Sequence, residues 1–149
     1  MSNTVVTRAI AAPLDVVFKV VAEVDQFSRA IPHIKKVEFL SPVHSGVGTR
    51  FRETRVMHGK DVANELEITE WAENNRVRYV ADSHGTVWDT VFTVEPDRDY
   101  TLLTMTMESN AKKLIPKIMN RLMSRMVKKA VEQDMDALKQ FCEQQGQTH

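Results

Sequence analysis

Residues 50–71 read RFRETRVMHGKDVANELEITEW, two runs of alternating residues on either side of a turn at Gly59-Lys60. Successive strand side chains point to opposite faces, so a period of two sorts each run into an inner and an outer set. In the first run Phe51, Glu53, Arg55 and Met57 share a face. Arg50 and Arg52 flank Phe51 and mark the opposite face as the solvent side, which turns Glu53 inward. In the second run Leu66 and Ile68 set the inner face and carry Asn64 with them, while Glu65, Glu67 and Thr69 face out.

The same period continues outward in both directions. Val37 and Phe39 precede the PVHSGVG turn, and Val77–Ser83, Thr86–Val94 and Tyr100–Met107 follow, separated by turns at Asn74-Asn75, His84-Gly85 and Pro96–Asp99. Short strands joined at regular intervals by turn residues describe an antiparallel meander rather than βαβ units. Val77, Tyr79 and Ala81 point inward in their strand; Trp88, Thr90, Phe92 and Val94 share a face, as do Leu103, Met105 and Met107. Before the meander, residues 4–10 form an edge-like strand rich in β-branched residues. Pro13 opens a short helix with Leu14, Val17, Phe18 and Val21 at helical spacing, and a second runs from Asp25 to Pro32.

After the meander the period changes to 3.6. Residues 112–145 predict one long helix whose apolar positions, among them Ile118, Met119, Leu122, Met126, Val131, Met135 and Leu138, cover a wide arc. An arc that broad predicts burial against a concave surface, with the helix docking through Ile118, Leu122 and Met126. Pro116 marks either its start or a bend.

Three stretches carry a likeness to a known superfamily: IAAPLDVVFKVVAEVDQFSRAIP at 10–32, GVGTRFRET at 46–54 and WDTVFTVEP at 88–96, with the long final helix in its place. Together they resemble the START-like, helix-grip superfamily, which includes polyketide cyclase/dehydrase-like and lipid-transport proteins. The resemblance spans nearly all 149 residues as one START-like domain. It implies an α+β fold in which a curved seven-stranded antiparallel sheet wraps a long C-terminal helix, with two short helices after the first strand. It also implies a cavity between sheet and helix, but brings no universal catalytic residues.

The candidate lining is Phe51, Glu53, Met57, Asn64, Leu66, Tyr79, Trp88, Thr90, Phe92, Met105, Met107, Met119, Leu122 and Met126, an apolar wall with a few polar points, as small-molecule pockets have. The leading expectation is a carrier or sensor of an apolar small molecule or lipid, with no cofactor. Methionine also fills irregular cores, so a filled interior is the competing reading. Glu53 is the sharpest residue, because a carboxylate in an apolar interior is costly unless paired. It acts as acid or base in a cyclase/dehydratase-type alternative, with Tyr79 or Asn64 orienting a carbonyl, or it anchors a ligand hydroxyl, or it pairs with Arg55 or Asn64.

Other chemistry finds no support. The histidines lack ligand spacing, Cys142 stands alone, and GVG at 46–48 is a hairpin turn rather than a phosphate loop. A net charge of zero gives no field that would steer the molecule to DNA. Nothing at the N-terminus reads as a signal peptide, so a cytoplasmic location is expected. Neutrality conceals an asymmetry: residues 1–111 carry a net of −4 and residues 112–149 a net of +4. Lys113, Lys117, Arg121 and Arg125 fall near one helical stripe. That stripe either pairs with strand acids such as Glu65 and Glu67 or contacts anionic lipid headgroups or RNA.

Overall fold

The computed structural model describes residues 2–83, 85–111 and 117–147. Strand β1 (Ser2–Ile10) leads into helices α1 (Leu14–Ala22) and α2 (Val24–Ala30). Six strands follow: β2 (Ile34–Phe39), β3 (Arg50–Met57), β4 (Lys60–Ala72), β5 (Arg76–Ser83), β6 (Thr86–Asp97) and β7 (Tyr100–Ala111). Helix α3 (Lys117–Gln147) closes the chain. The strands form one antiparallel sheet in the order β1-β7-β6-β5-β4-β3-β2, so α1 and α2 carry the chain between its two edges.

Hairpin chemistry sets the register. Between Met57 and Lys60, His58 and Gly59 both take positive φ, the conformation that matches a two-residue loop to the twist of its strands. Pro96, read from sequence as the start of a turn, instead lies within β6 opposite Thr101. Near a strand end its missing N–H costs little.

The outer face of the sheet is held by cross-strand ion pairs. Arg52 meets Glu65 at 3.1 Å, Arg50 meets Glu67 at 3.7 Å, and Arg78 meets Asp89 and Glu70. Glu65 and Glu67 are therefore engaged within the sheet by Arg52 and Arg50, and among the described residues of the basic stripe Arg121 and Arg125 do not pair with them. One irregularity re-phases β4. Ile68 opposes Tyr79 but Glu70 opposes Arg78, so Thr69 is the extra residue of a bulge and is half-buried, not outward as predicted. Beyond the bulge Trp71 faces the interior, its ring edge-on to Phe18 of α1 at 5.3 Å.

Helix α3 differs from expectation in how it docks. Val131, Met135, Leu138 and Cys142 form its buried seam. Arg8–Asp136 at 2.7 Å, Lys139 Nζ donating to the Ala9 carbonyl at 2.8 Å, and the Ala11 N–H donating to Glu143 at 3.0 Å tie the same half to the end of β1. The first half does not follow: Ile118 is 75% exposed and Leu122 and Met126 are 56% exposed. The predicted docking through these three residues is thus corrected. With 3.6 residues per turn they sit roughly half a turn round the helix from the seam. The wide apolar arc consists of two stripes on different sides, and only the second meets the sheet. Residues 112–116, where the helix was expected to begin and where Lys113 and Pro116 fall, lie outside the described residues.

Candidate functional site

Strand pairing arranges the inner face of the sheet in rows. Val77, Phe92 and Met105 make one, and Ile68, Tyr79, Thr90 and Met107 the next. Phe51, Leu66, Ala81, Trp88 and Ser109 make a third, and Glu53 and Asn64 begin a fourth at the far end. Helices α1 and α2 cover the first two rows. Phe27 of α2 packs on Phe92 at 5.8 Å and on Tyr79 at 6.2 Å, and Tyr79 meets Phe51 and Phe92 edge-on at 6.1 Å. Here the interior is filled: Phe51, Tyr79, Thr90, Phe92 and Met105 are buried.

Phe51, Ala81 and Glu53 keep the third and fourth rows buried on the β3 side; toward β6 and β7 the covering thins. Leu66, Trp88 and Met107 point to the same inner face but are only half-buried. Trp88 stands outside the continuous core cluster. Strand β7 ends at this side of the sheet, with Ala111 opposite Thr86. The sheet thus has a packed end and an apolar open end. Of the fourteen candidate lining residues three apolar ones, Leu66, Trp88 and Met107, stay half-buried on the inner face; Leu66 and Met107 pack against the core while Trp88 lies outside it, at the open end, and Asn64 follows Leu66 as a polar border. Met57, beside the hairpin turn, is 43% exposed, and Met119, Leu122 and Met126 are exposed on the first half of α3.

The polar candidates already have partners. The Tyr79 hydroxyl donates to the carbonyls of Val21 at 2.6 Å and Ala22 at 3.2 Å, capping the last turn of α1. Burial, reinforced by the negative fields of Glu53 and Glu23, holds this phenol above its ordinary value. Asn64 accepts a hydrogen bond from Ser83. Glu53 accepts from Arg55 Nε, and Arg55 Nη1 donates to Asp134 of α3 at 2.9 Å. Glu53 and Asp134 are 5% and 7% exposed, so this is a largely buried carboxylate–guanidinium–carboxylate bridge from β3 to the helix. Burial opposes the charge on Arg55, but the two carboxylates outweigh it and hold the guanidinium above its ordinary value. Cys142 is fully buried, and burial first, then Glu143, pushes its thiol up to about 12, which leaves it a packing residue.

Sequence reading missed Asp134. Its signal was present: a carboxylate on the apolar seam between Val131 and Leu138 calls for a cation, and Arg55 was already assigned inward. The basic residues of α3 show the opposite condition. Arg121, Arg125, Lys128 and Lys129 form no ion pair with a described residue. Lys117 begins the helix. No helix among the described residues is long and apolar enough to cross a membrane.

An open antiparallel sheet of seven strands closed by a long C-terminal helix is the START, helix-grip fold. The chain belongs to the family described as polyketide cyclase / dehydrase and lipid transport, whose model matches residues 1–143. Among solved structures it is similar to a START superfamily protein from Mycobacterium smegmatis, with TM-score 0.81 and 19% identity, covering 97% of this chain and 99% of that one. A protein from Thermus thermophilus aligns with TM-score 0.78 and 20% identity over 94% and 96% of the two chains. The di-domain ARO/CYC StfQ from the steffimycin biosynthetic pathway aligns with TM-score 0.80 and 15% identity, covering 96% of this chain and 51% of that one. Identities this low describe a shared fold. No curated protein matches the sequence significantly.

Proposed function

We propose that the protein binds an apolar small molecule or lipid at the open end of the sheet, and that it carries or senses this ligand rather than transforming it. The observation that carries the reading is the half-buried state of Leu66, Trp88 and Met107. Apolar side chains on an inner face gain from removal from water, at about 25 cal/mol per Å² buried, and an apolar ligand supplies the missing cover. Asn64 and Ser83 offer a polar border at which such a ligand is oriented. Family membership supports the same class of function, since it includes lipid transport. Binding is preferred to catalysis because the groups a cyclase/dehydratase mechanism would use are engaged: Glu53 by Arg55, and Tyr79 by the α1 carbonyls.

The test is a titration with 1-anilinonaphthalene-8-sulfonate followed through each tryptophan separately, in Trp71→Phe and Trp88→Phe variants. Binding at one site per chain should change Trp88 emission strongly. Trp71, half-buried but packed edge-on to Phe18 in the row of Val77 and Phe92, should change little. Absence of saturable binding, or an equal response from Trp71, would overturn the proposal.

A further inference from the structure

The outer side of α3 changes character along its length. In the second half, Gln133 and Gln140 face away from the docking seam, as solvent-facing helix positions ordinarily do. In the first half the same side presents Ile118, Leu122 and Met126, one per turn, with Met119 and Met123 exposed beside them. This row extends about 12 Å along the axis. On its other flank stand Arg121, Arg125 and Lys129, none of which meets a described acid. Residues 112–131 contain seven Lys or Arg and no Asp or Glu. Positive charge near a helix N-terminus is opposed by the helix dipole, so helix stability does not account for the arrangement.

We propose that this face of α3 docks on an anionic lipid bilayer, with Ile118, Leu122 and Met126 entering the interface and Arg121, Arg125 and Lys129 meeting phosphate and carboxylate headgroups. An apolar stripe with a cationic flank on one helix is the pattern of helices that lie in the membrane plane. The two rival occupants fit less well. A second copy packed symmetrically on the row would set Arg121 and Arg125 beside their own counterparts, which repel. RNA would answer the charges but leave the apolar row uncovered, and the row has no aromatic ring on which a base stacks. The inference stands apart from the ligand reading, because it rests on the side of α3 turned away from the sheet.

Cosedimentation with vesicles tests it. The wild-type protein should sediment with phosphatidylserine–phosphatidylcholine vesicles at low salt, bind pure phosphatidylcholine far more weakly, and release as salt rises. Each basic residue near the surface should contribute about fivefold to partitioning, so Arg121→Glu/Arg125→Glu should lower it at least about twenty-fivefold. Leu122→Ser/Met126→Ser keeps every charge and should lose binding as well. All four residues are exposed, so both variants should melt with the wild type. No sedimentation at low salt, or equal binding to uncharged vesicles, overturns the proposal. So does a dimer in solution that Leu122→Ser disperses, or RNA binding that survives Leu122→Ser/Met126→Ser. Loss of dye uptake in that variant with vesicle binding intact would also overturn it, assigning the row to the ligand cleft.

Discussion

Replacing Arg55 with leucine should expose how α3 is held. The guanidinium bridges Glu53 on β3 and Asp134 on α3, and both carboxylates are almost fully buried. Removing the cation strands two desolvated negative charges near each other. Breaking a buried ion pair by deleting one partner costs about 3–5 kcal/mol. The Arg55 side chain retains 21% exposure, so some water reaches the bridge and the lower end, about 3 kcal/mol, applies. For a chain of this length that lowers the melting temperature by roughly 6–12 °C. Glu53→Gln/Arg55→Leu/Asp134→Asn, which strands no charge, should regain most of the loss. Thermal denaturation followed by circular dichroism measures both. An Arg55→Leu variant melting within about 2 °C of wild type, or a triple variant that regains none of the loss, would refute the bridge as described.

Three further outcomes follow from the same packing. Leu138→Ala, in the buried seam, should cost about 2–5 kcal/mol in denaturant unfolding, whereas Leu122→Ala should cost under about 0.5 kcal/mol; similar costs would mean that both halves of α3 dock. Tyr79→Phe should lose about 1–3 kcal/mol by leaving the α1 carbonyls unanswered, yet bind the dye with unchanged stoichiometry; abolished dye binding in a folded variant would make Tyr79 a ligand contact. The Lys139 ammonium, then the Ala11 N–H, holds the Glu143 carboxyl below its ordinary range. Its contribution is therefore present above that range and is lost as pH falls through the folded value. Glu143→Gln should lower stability by under about 1 kcal/mol at neutral pH and match wild type in strong acid, and a difference independent of pH would contradict the assignment.

Much of this architecture is legible in the sequence because strand direction is a parity rule. Once Arg50 and Arg52 fix the solvent side, Phe51 and Glu53 must face inward, and they do. Parity fails where a residue is inserted. The bulge at Thr69 turns Trp71 into the core, and no residue type in LEITEW announces it. The helix is misread for a related reason. Counting apolar positions round α3 does not distinguish one broad buried arc from two narrower stripes on different sides. The candidate site is legible as a list of inward residues, but not as a site. Which of them lie under α1 and α2 and which remain uncovered depends on where the helices stop, and that follows from contacts distant in sequence, such as Phe27 with Phe92 and Arg55 with Asp134.

The eight methionines offer a direct view of the proposed ligand site, because their methyl groups sample it and the regions around it. Methyl-labelled methionine NMR spectra recorded during titration with 1-anilinonaphthalene-8-sulfonate report each one. Met107 lies at the open end of the sheet, while Met135 is sealed in the α3 seam. Binding at the proposed site predicts a saturable shift of Met107 at one equivalent with Met135 unmoved. A saturating titration that leaves Met107 in place, or that moves Met135 as far, would contradict it.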